Sequence, residues 1–228
     1  MNKLYALLFV NFLVSTGFAQ SIAQVTIDNR GNQDIITFLV DESVVVNITK
    51  DGKIIDWGKE YTTPITGVYP RLEKYMGREE YYSPSDNEAY RGKVKYIGRT
   101  ALTYYTADDK ESLKGKLKTI GTIFLDYYTD YDDAAFRGFL RNAGSVPLTY
   151  YGSFNDEFYK GKIKSIGSTQ LSYFGAIDDK AYRGKIKSID RNMFTYYSSF
   201  DRPELSGIMK TGATIISAGS IKYIIKNY

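Results

Sequence analysis

The chain of 228 residues contains no cysteine and no histidine, and these two absences remove much of the usual catalytic chemistry. Without cysteine there is no disulfide framework, no thiolate metal ligand and no thiol nucleophile. Without histidine there is no imidazole base for a Ser-His or Cys-His couple and no imidazole metal ligand. Tryptophan (1) and proline (5) are also scarce, whereas tyrosine is abundant at 22 residues. With 43% hydrophobic residues, the composition is that of a folded chain rather than a disordered one.

Residues 1–19 have the pattern of a secretory signal peptide. A positive start is followed by an apolar stretch from Leu4 to Val14 and by a small-residue exit that ends at Ala19. The apolar stretch is short for a transmembrane helix, although an uncleaved anchor is the alternative interpretation. We therefore predict cleavage after Ala19 and a periplasmic or secreted mature protein with no transmembrane segment after cleavage.

A repeat of 23 residues fills the second half of the chain. The glycines that mark it are Gly92, Gly115, Gly138, Gly161, Gly184 and Gly207. Each unit has an aliphatic run that begins at this glycine, then a turn, then a second run that ends in an aromatic pair, as in YKGKIKSIGSTQLSYFGAIDDKA. The last unit has lost the pair and is predicted to be a terminal cap. Residues 52–58 and 74–82 are weaker upstream copies.

The two runs of each unit have the composition of β-strands joined by a tight turn. In the fourth unit the alternation favours a loop of three residues, 167–169, with Ile163 opposite Tyr173. This register places Ile163, Leu171 and Tyr173 on one face and Lys162, Lys164 and Phe174 on the other. Stacked units would then align apolar residues in two columns. These are Val94, Leu117, Leu140, Ile163, Ile186 and Met209, and Leu102, Leu125, Leu148, Leu171 and Phe194.

The segment that links one unit to the next begins with an acidic or amide side chain. The members of this column are Asp86, Asp109, Asp132, Asn155, Asp178 and Asp201. Each is predicted to cap a single helical turn, which the repeat glycine ends in the left-handed conformation. A calcium site between stacked turns is the alternative interpretation. Capping explains the asparagine without a further assumption, so we predict no metal and no cofactor.

These patterns together predict an all-β protein, a tandem β-hairpin repeat array that forms an extended or spiralling antiparallel sheet. We expect residues 20–80 to form an N-terminal β cap or subdomain with degenerate repeats. Residues 81–228 would contain the hairpin repeats and a C-terminal capping unit. The exposed apolar face of the array must be covered, either by curling of the sheet or by residues 20–80.

The repeat over residues 80–207 resembles two known families of β-hairpin repeats. Its period of 23 residues with glycine and aromatic anchors is similar to membrane-occupation-and-recognition-nexus (MORN) repeats. The order of tyrosine pair, aspartate, glycine and aliphatic strand also resembles the tyrosine-aspartate repeats of RHS-type shells. Both resemblances imply an all-β hairpin array, but no function is carried over, because both families serve mainly as scaffolds or shells and have diverse roles.

A ladder of cations interleaved with aromatic rings is the main candidate binding surface. Its predicted members are Lys93, Lys95, Tyr105, Lys116, Lys118, Tyr128, Arg141, Tyr151, Lys162, Lys164, Phe174, Lys185, Lys187 and Tyr197. Charge together with ring stacking can hold a linear anionic polymer. The alternative is a solvated β face, on which lysine discourages edge pairing.

No carboxylate pair stands out as catalytic, and six copies of one pattern do not make the single constellation that an active site needs. The leading hypothesis is therefore an exported, non-catalytic structural or protein-interaction module of the cell envelope, with its protein partner unidentified. The alternative is a polyanion- or glycan-binding protein that uses the ladder. A glycan-cleaving enzyme with a carboxylate pair in residues 20–80 is a third hypothesis.

Overall fold

A computed structural model describes residues 21–29, 33–41, 43–61, 70–106 and 108–227, and the predicted signal peptide lies outside them. The described chain is all-β, as predicted. Its strands are β1 (Ser21–Asp28), β2 (Ile35–Asp41), β3 (Val44–Thr49), β4 (Ile54–Tyr61), β5 (Arg71–Lys74), β6 (Glu79–Tyr81), β7 (Val94–Ile97), β8 (Thr100–Tyr104), β9 (Leu117–Ile120), β10 (Ile123–Tyr127), β11 (Leu140–Ala143), β12 (Val146–Tyr150), β13 (Ile163–Ile166), β14 (Thr169–Tyr173), β15 (Ile186–Ile189), β16 (Asn192–Met193), β17 (Thr195–Tyr196), β18 (Met209–Thr211), β19 (Ile215–Ala218) and β20 (Ile221–Lys226). One 3₁₀ turn, Glu111–Leu113, precedes β9.

The hairpin repeats form a sheet of 11 strands, β6 to β16, in which every strand is antiparallel to its neighbours in the chain. The strands β17 and β18 continue the pattern as a separate pair. A second sheet of seven strands has the order β19-β20-β1-β2-β3-β4-β5. In it β20 runs parallel to β1, so the C-terminal part of the predicted capping unit lies in the sheet of the N-terminal strands.

The turn inside each hairpin has two residues, so the predicted loop of three residues is wrong. In the fourth unit Ile166 pairs with Thr169 and Ser165 with Gln170. Gly167 is the first of the two turn residues and has a φ of +57°, the sign that a type II′ turn requires at this position. With strict alternation, a two-residue turn would place lysine and leucine on the same face of the sheet. This is why alternation alone favours a loop of three residues.

A β-bulge in every unit explains why strict alternation failed. Across the junction between units, Thr149 pairs with Ser165 and Tyr150 with Ile163, which leaves Lys164 as an extra residue in its strand. The bulge allows Ile163 and Ile166, three positions apart, both to face the core, at 0% and 1% exposure. Equivalent register shifts occur at all six junctions. The bulged residues are Lys95, Lys118, Arg141, Lys164, Lys187 and Lys210.

The two sheets share one continuous apolar core. The two predicted columns lie within it, fully buried except for the partly buried Met209. Backbone contacts tie the sheets together along the array: Leu140 donates its N–H to the carbonyl of Lys50 at 2.7 Å. Farther along, the N–H of Ile186 donates to Oδ1 of the buried Asn29 at 2.9 Å. The apolar face of the hairpin array is therefore covered by strands from both ends of the described chain.

The repeat glycines have φ between +73° and +77°, which confirms the predicted left-handed conformation. We expect Gly92→Ala to lower the free energy of unfolding by roughly 1–2 kcal/mol, because a Cβ is strained in this conformation. At Gly92 a Cβ would have nothing within 4 Å, whereas at Gly161 it would lie 2.7 Å from the carbonyl oxygen of Ala135. Gly161→Ala should therefore cost more. Urea unfolding of both variants tests this, and equal costs would refute the role of the close approach.

Candidate functional site

The ladder divides into two groups of cations with different surroundings. The inner column consists of Lys93, Lys116, Lys162 and Lys185, each directly after a repeat glycine. Every member donates from Nζ to the carbonyl oxygen of the next unit's repeat glycine, at 3.0 Å from Lys116 and 2.6 Å from Lys162. Each Nζ also lies 5.0–5.4 Å from the centre of the first tyrosine ring of its own unit's aromatic pair. The inner column therefore links consecutive hairpins.

Burial affects the charge of this inner column. Desolvation lowers the pKa of Lys93, Lys116 and Lys162 from its ordinary value, although their hydrogen bonds keep the ammonium groups partnered. The carbonyl groups and rings already occupy much of the surface of these cations. A polymer in solution would have to compete with contacts that hold the array together.

One unit lacks an inner lysine, and the other sheet replaces it. Phe139 occupies the position, so no lysine of that unit can reach the carbonyl oxygen of Gly161. Lys50, in the turn after β3, donates to this oxygen at 3.0 Å, and its Nζ lies 4.6 Å from the centre of the Phe139 ring. The ammonium group thus keeps the position that the repeat requires, although it comes from a turn of the other sheet, far away in the chain.

The bulged residues form the outer row: Lys95, Lys118, Arg141, Lys164, Lys187 and Lys210. Each cationic group lies 5.0–5.8 Å from the centre of an aromatic ring of the preceding unit. The rings are those of Tyr82, Tyr105, Tyr128, Tyr151, Phe174 and Tyr197. Arg141, Lys164 and Lys210 are exposed, and Lys118 is paired with Asp109 at 3.2 Å. The outer row is the part of the predicted ladder that reaches solvent.

Three tyrosines of the ladder connect units through their hydroxyl groups. Tyr105, Tyr128 and Tyr151 each donate to a carbonyl oxygen 20 residues ahead, at 2.7–3.0 Å. Tyr105 is only 4% exposed, and burial raises its pKa to about 12. Because these rings lie against tyrosines and phenylalanines of neighbouring positions, the ladder does not offer a row of open ring faces.

The linking segments differ from the predicted caps. Each member of the Asp/Asn column accepts a hydrogen bond from the backbone N–H three residues before it, as Asp132 does from Thr129 at 2.6 Å. In four units the next residue, Asn87, Asp133, Asp156 or Asp179, caps the turn instead, as Asp133 Oδ1 accepts from the N–H of Ala135 at 2.8 Å. The prediction is therefore one residue out of place, because the first carboxylate closes the preceding loop.

The capping carboxylates also join neighbouring loops. Asp133, Asp156 and Asp179 each accept a backbone N–H of the following unit, at 2.6–3.0 Å. The hydrogen bond from the Ser153 side chain lowers the pKa of Asp133, and that from the Ala181 N–H lowers the pKa of Asp179, with the inter-unit N–H groups adding to both effects. Among the described residues no group of three or more Asp, Glu, Cys or His side chains is arranged to hold a metal ion. The acidic column thus fixes the loops at one edge of the array.

A row of exposed apolar side chains lies on these loops, and sequence reasoning missed it. We call it the apolar edge: Tyr131, Phe154, Ile177 and Phe200, which are 96%, 103%, 100% and 94% exposed. They occupy one position in four consecutive units, immediately before the Asp/Asn column. The signal was present in the sequence, since an apolar residue recurs every 23 residues inside an otherwise polar loop.

A cationic pocket of about 490 Å³ lies where the inner column meets the turn after β3. Its lining includes Lys53, Lys93, Lys114 and Lys116 but only one carboxylate, that of Asp51. Trp57, the single tryptophan, lines the same pocket and donates from Nε1 to Glu79 at 2.8 Å.

No family model, curated protein or solved structure matches this chain. The described part of the chain includes no helix with the length and apolar character needed to cross a membrane.

We expect the Lys50 and Phe139 positions to be energetically coupled. Lys50→Met should lower the free energy of unfolding by roughly 1–3 kcal/mol, because it leaves the Gly161 carbonyl without its side-chain donor. Adding Phe139→Lys should recover part of this loss, since a lysine there is placed as Lys116 and Lys162 are in their units. The measurement is a double-mutant cycle by urea unfolding. Purely additive changes would contradict the assigned replacement.

We expect the loop carboxylates to make the protein sensitive to acid. Hydrogen bonding lowers the pKa of Asp109, Asp132 and Asp201 below the unfolded value of about 3.9. Their contribution is therefore present above that pH and lost as the pH falls through the folded-state pKa. The triple change to Asn should keep the acceptors, as Asn155 does naturally, and reduce the loss. The buried Asp34 acts in the opposite direction, because burial raises its pKa.

The test compares melting temperatures from pH 7 to pH 2 in the wild type, in the triple variant and in Asp130→Asn. Asp130 is an exposed carboxylate of the same loops. If the triple variant and the control lose equal stability on acidification, the loop hydrogen bonds are not the source of the sensitivity.

Proposed function

We propose that this protein is a non-catalytic repeat scaffold of the cell envelope that binds another protein along its apolar edge. The observation that carries the proposal is the exposure of Tyr131, Phe154, Ile177 and Phe200, each 94% or more, at one position of four consecutive units. Single exposed apolar residues are common, but a regular row of them in four consecutive units favours an interaction surface. The location in the envelope rests on the predicted signal peptide.

The spacing of the apolar edge follows from the sheet. Neighbouring strands lie about 4.8 Å apart and each unit contributes two strands, so consecutive side chains of the edge are about 10 Å apart. The four positions therefore span about 30 Å, a distance suited to an extended contact with one partner. Hydrogen bonds between the loops, such as that from Ser153 to Asp133, hold these side chains in position before binding. Preorganisation of this kind reduces the entropy lost on association.

The charges around the edge indicate the chemistry of the partner. Tyr131 lies between Asp130 and Asp132, and Phe200 is followed by Asp201. An apolar row with acidic neighbours complements a protein surface that has apolar pockets rimmed by lysine and arginine. The proposal includes no catalytic step, and Asp132, Asp133 and Asp201 of these loops are engaged as acceptors for backbone N–H groups.

We expect a photo-crosslinking amino acid at position 154 to form a covalent adduct with one protein in the native host. The same probe at Met76, which is 87% exposed but lies away from the edge, is the matched control. Changing Tyr131, Ile177 and Phe200 to Ser should decrease the adduct at least tenfold. It should leave the melting temperature unchanged, because these side chains bury almost nothing. An adduct that also forms from position 76, or that survives the triple change, would contradict the proposal.

The polyanion alternative depends on the outer row and on the cationic pocket, because the inner column is engaged within the array. It predicts retention by lipopolysaccharide, acidic polysaccharide or DNA that weakens steeply as salt rises. Lys53→Ser with Lys164→Ser should abolish that retention, whereas Lys180→Ser with Lys226→Ser would not. Retention with this pattern would favour the alternative, and its absence would leave the outer row as a solvated face.

A further inference from the structure

A row of polar side chains crosses the seven-stranded sheet on the face turned away from the hairpin array. Directly paired positions place these residues side by side on five adjacent strands, from β20 through β1, β2 and β3 to β4. The row consists of Lys222, Gln24, Thr37, Asn47 and Asp56. The alternate residues of the same strands, such as Val25 and Val46, are fully buried in the shared core. The polar row is therefore the regular outer face of these strands, whose alternate residues form the core.

Gln24, Thr37, Asn47 and Asp56 of the row line a cleft of about 450 Å³, a volume typical of small-molecule sites. Hydrogen bonds fix part of its surface. Thr37 Oγ1 donates to Asn47 Oδ1 at 2.6 Å, and Asn47 Nδ2 donates to Asp56 Oδ1 at 2.7 Å. This chain leaves no freedom in the orientation of the Asn47 amide and directs a carboxylate and a hydroxyl group to the cleft.

Gln24 is the exceptional member of the row. Its side chain is 7% exposed and lines the cleft, yet its Oε1 accepts no hydrogen bond from the described residues. Buried polar atoms are nearly always paired, because an unpaired acceptor loses its water without compensation. The cleft therefore offers the unpaired acceptor Gln24 Oε1 beside the hydrogen-bonded side chains of Thr37 and Asn47. A ligand with a hydrogen-bond donor would complement it.

The charges of the cleft balance. The lining has two carboxylates, Asp56 and Glu60, and two cations, Arg71 and Lys226, and Glu60 is paired with Lys222 at 3.3 Å, so no single sign of charge dominates the cleft. The lining alternates polar groups with apolar side chains, among them Ile35, Val45, Leu72 and Ile224. A hydroxyl group both donates and accepts, so a ring that bears several of them can satisfy this mixture, while its C–H faces lie on the apolar groups.

We propose that the cleft binds a small neutral polyhydroxylated ligand, a mono- or disaccharide, with Gln24 Oε1 accepting a hydrogen bond from one of its hydroxyl groups. The site lies on a different sheet from the apolar edge. Sugar binding and the protein contact are therefore independent, and either can fail without the other.

The test is ligand-observed NMR and calorimetry on the full chain with glucose, galactose, N-acetylglucosamine, maltose and cellobiose. Glycine and inorganic phosphate serve as charged comparators. At least one sugar should bind, and Gln24→Met should weaken that binding roughly tenfold or more. Gln24→Met should not lower the melting temperature, because it replaces an unpaired buried amide with an apolar group of similar size. Gln170→Met, the same change at an exposed position of the hairpin sheet, is the matched control and should bind as the wild type does.

A second variant guards against an indirect effect of Gln24. Asp56→Asn, at an exposed position that lines the same cleft, should also weaken the sugar without unfolding the protein. The proposal is overturned if no sugar binds, because the cleft would then contain only solvent. It is equally overturned if a charged comparator binds more tightly than every sugar, or if both variants bind sugar as well as the control does.

Discussion

Each hairpin of the array joins the next across a β-bulge, and this bulge decides which side chains reach the core. It allows two aliphatic residues three positions apart, such as Ile163 and Ile166, to face inwards together. It also turns the intervening cation outwards, over an aromatic ring of the preceding unit. The separation of the cations into an inner column and an outer row is a direct consequence, and so is the position of the linking loops.

Hydrogen bonds from side chains to carbonyl groups then hold the units in order. Inner lysines bind the repeat glycines, and tyrosine hydroxyls bind carbonyls of the neighbouring unit. Phe139 stands where the neighbouring units have an inner lysine. Lys50 supplies from the other sheet the ammonium group that this unit lacks, so the carbonyl of its neighbouring repeat glycine still has a donor. The same contact helps to fix the two sheets against each other. One network of hydrogen bonds therefore both holds the hairpin units together and attaches the seven-stranded sheet to them.

Two surfaces carry the interactions that we propose. The apolar edge is a product of the repeat, since it exists because one loop position is apolar in four consecutive units. The cleft with Gln24 is a product of the non-repetitive strands, where each residue occurs once and a single specific constellation can form. A repetitive array suits an extended partner and a unique constellation suits a small ligand. We infer one role for each sheet on this basis.

The hairpin repeat, the left-handed glycines and the apolar columns could be predicted from the sequence. All of these depend on contacts within a unit or on identical neighbours at a spacing of 23 residues. The bulge at Lys164 escaped prediction because strict alternation was assumed, and an extra residue is recognised only when the partner strand is known. Three other features could be seen only in the folded structure: β20 pairs with β1, Lys50 donates to the carbonyl of Gly161, and Gln24 lines a cleft. Each of these joins residues far apart in the chain that belong to no repeated pattern, so local propensity carries no information about them.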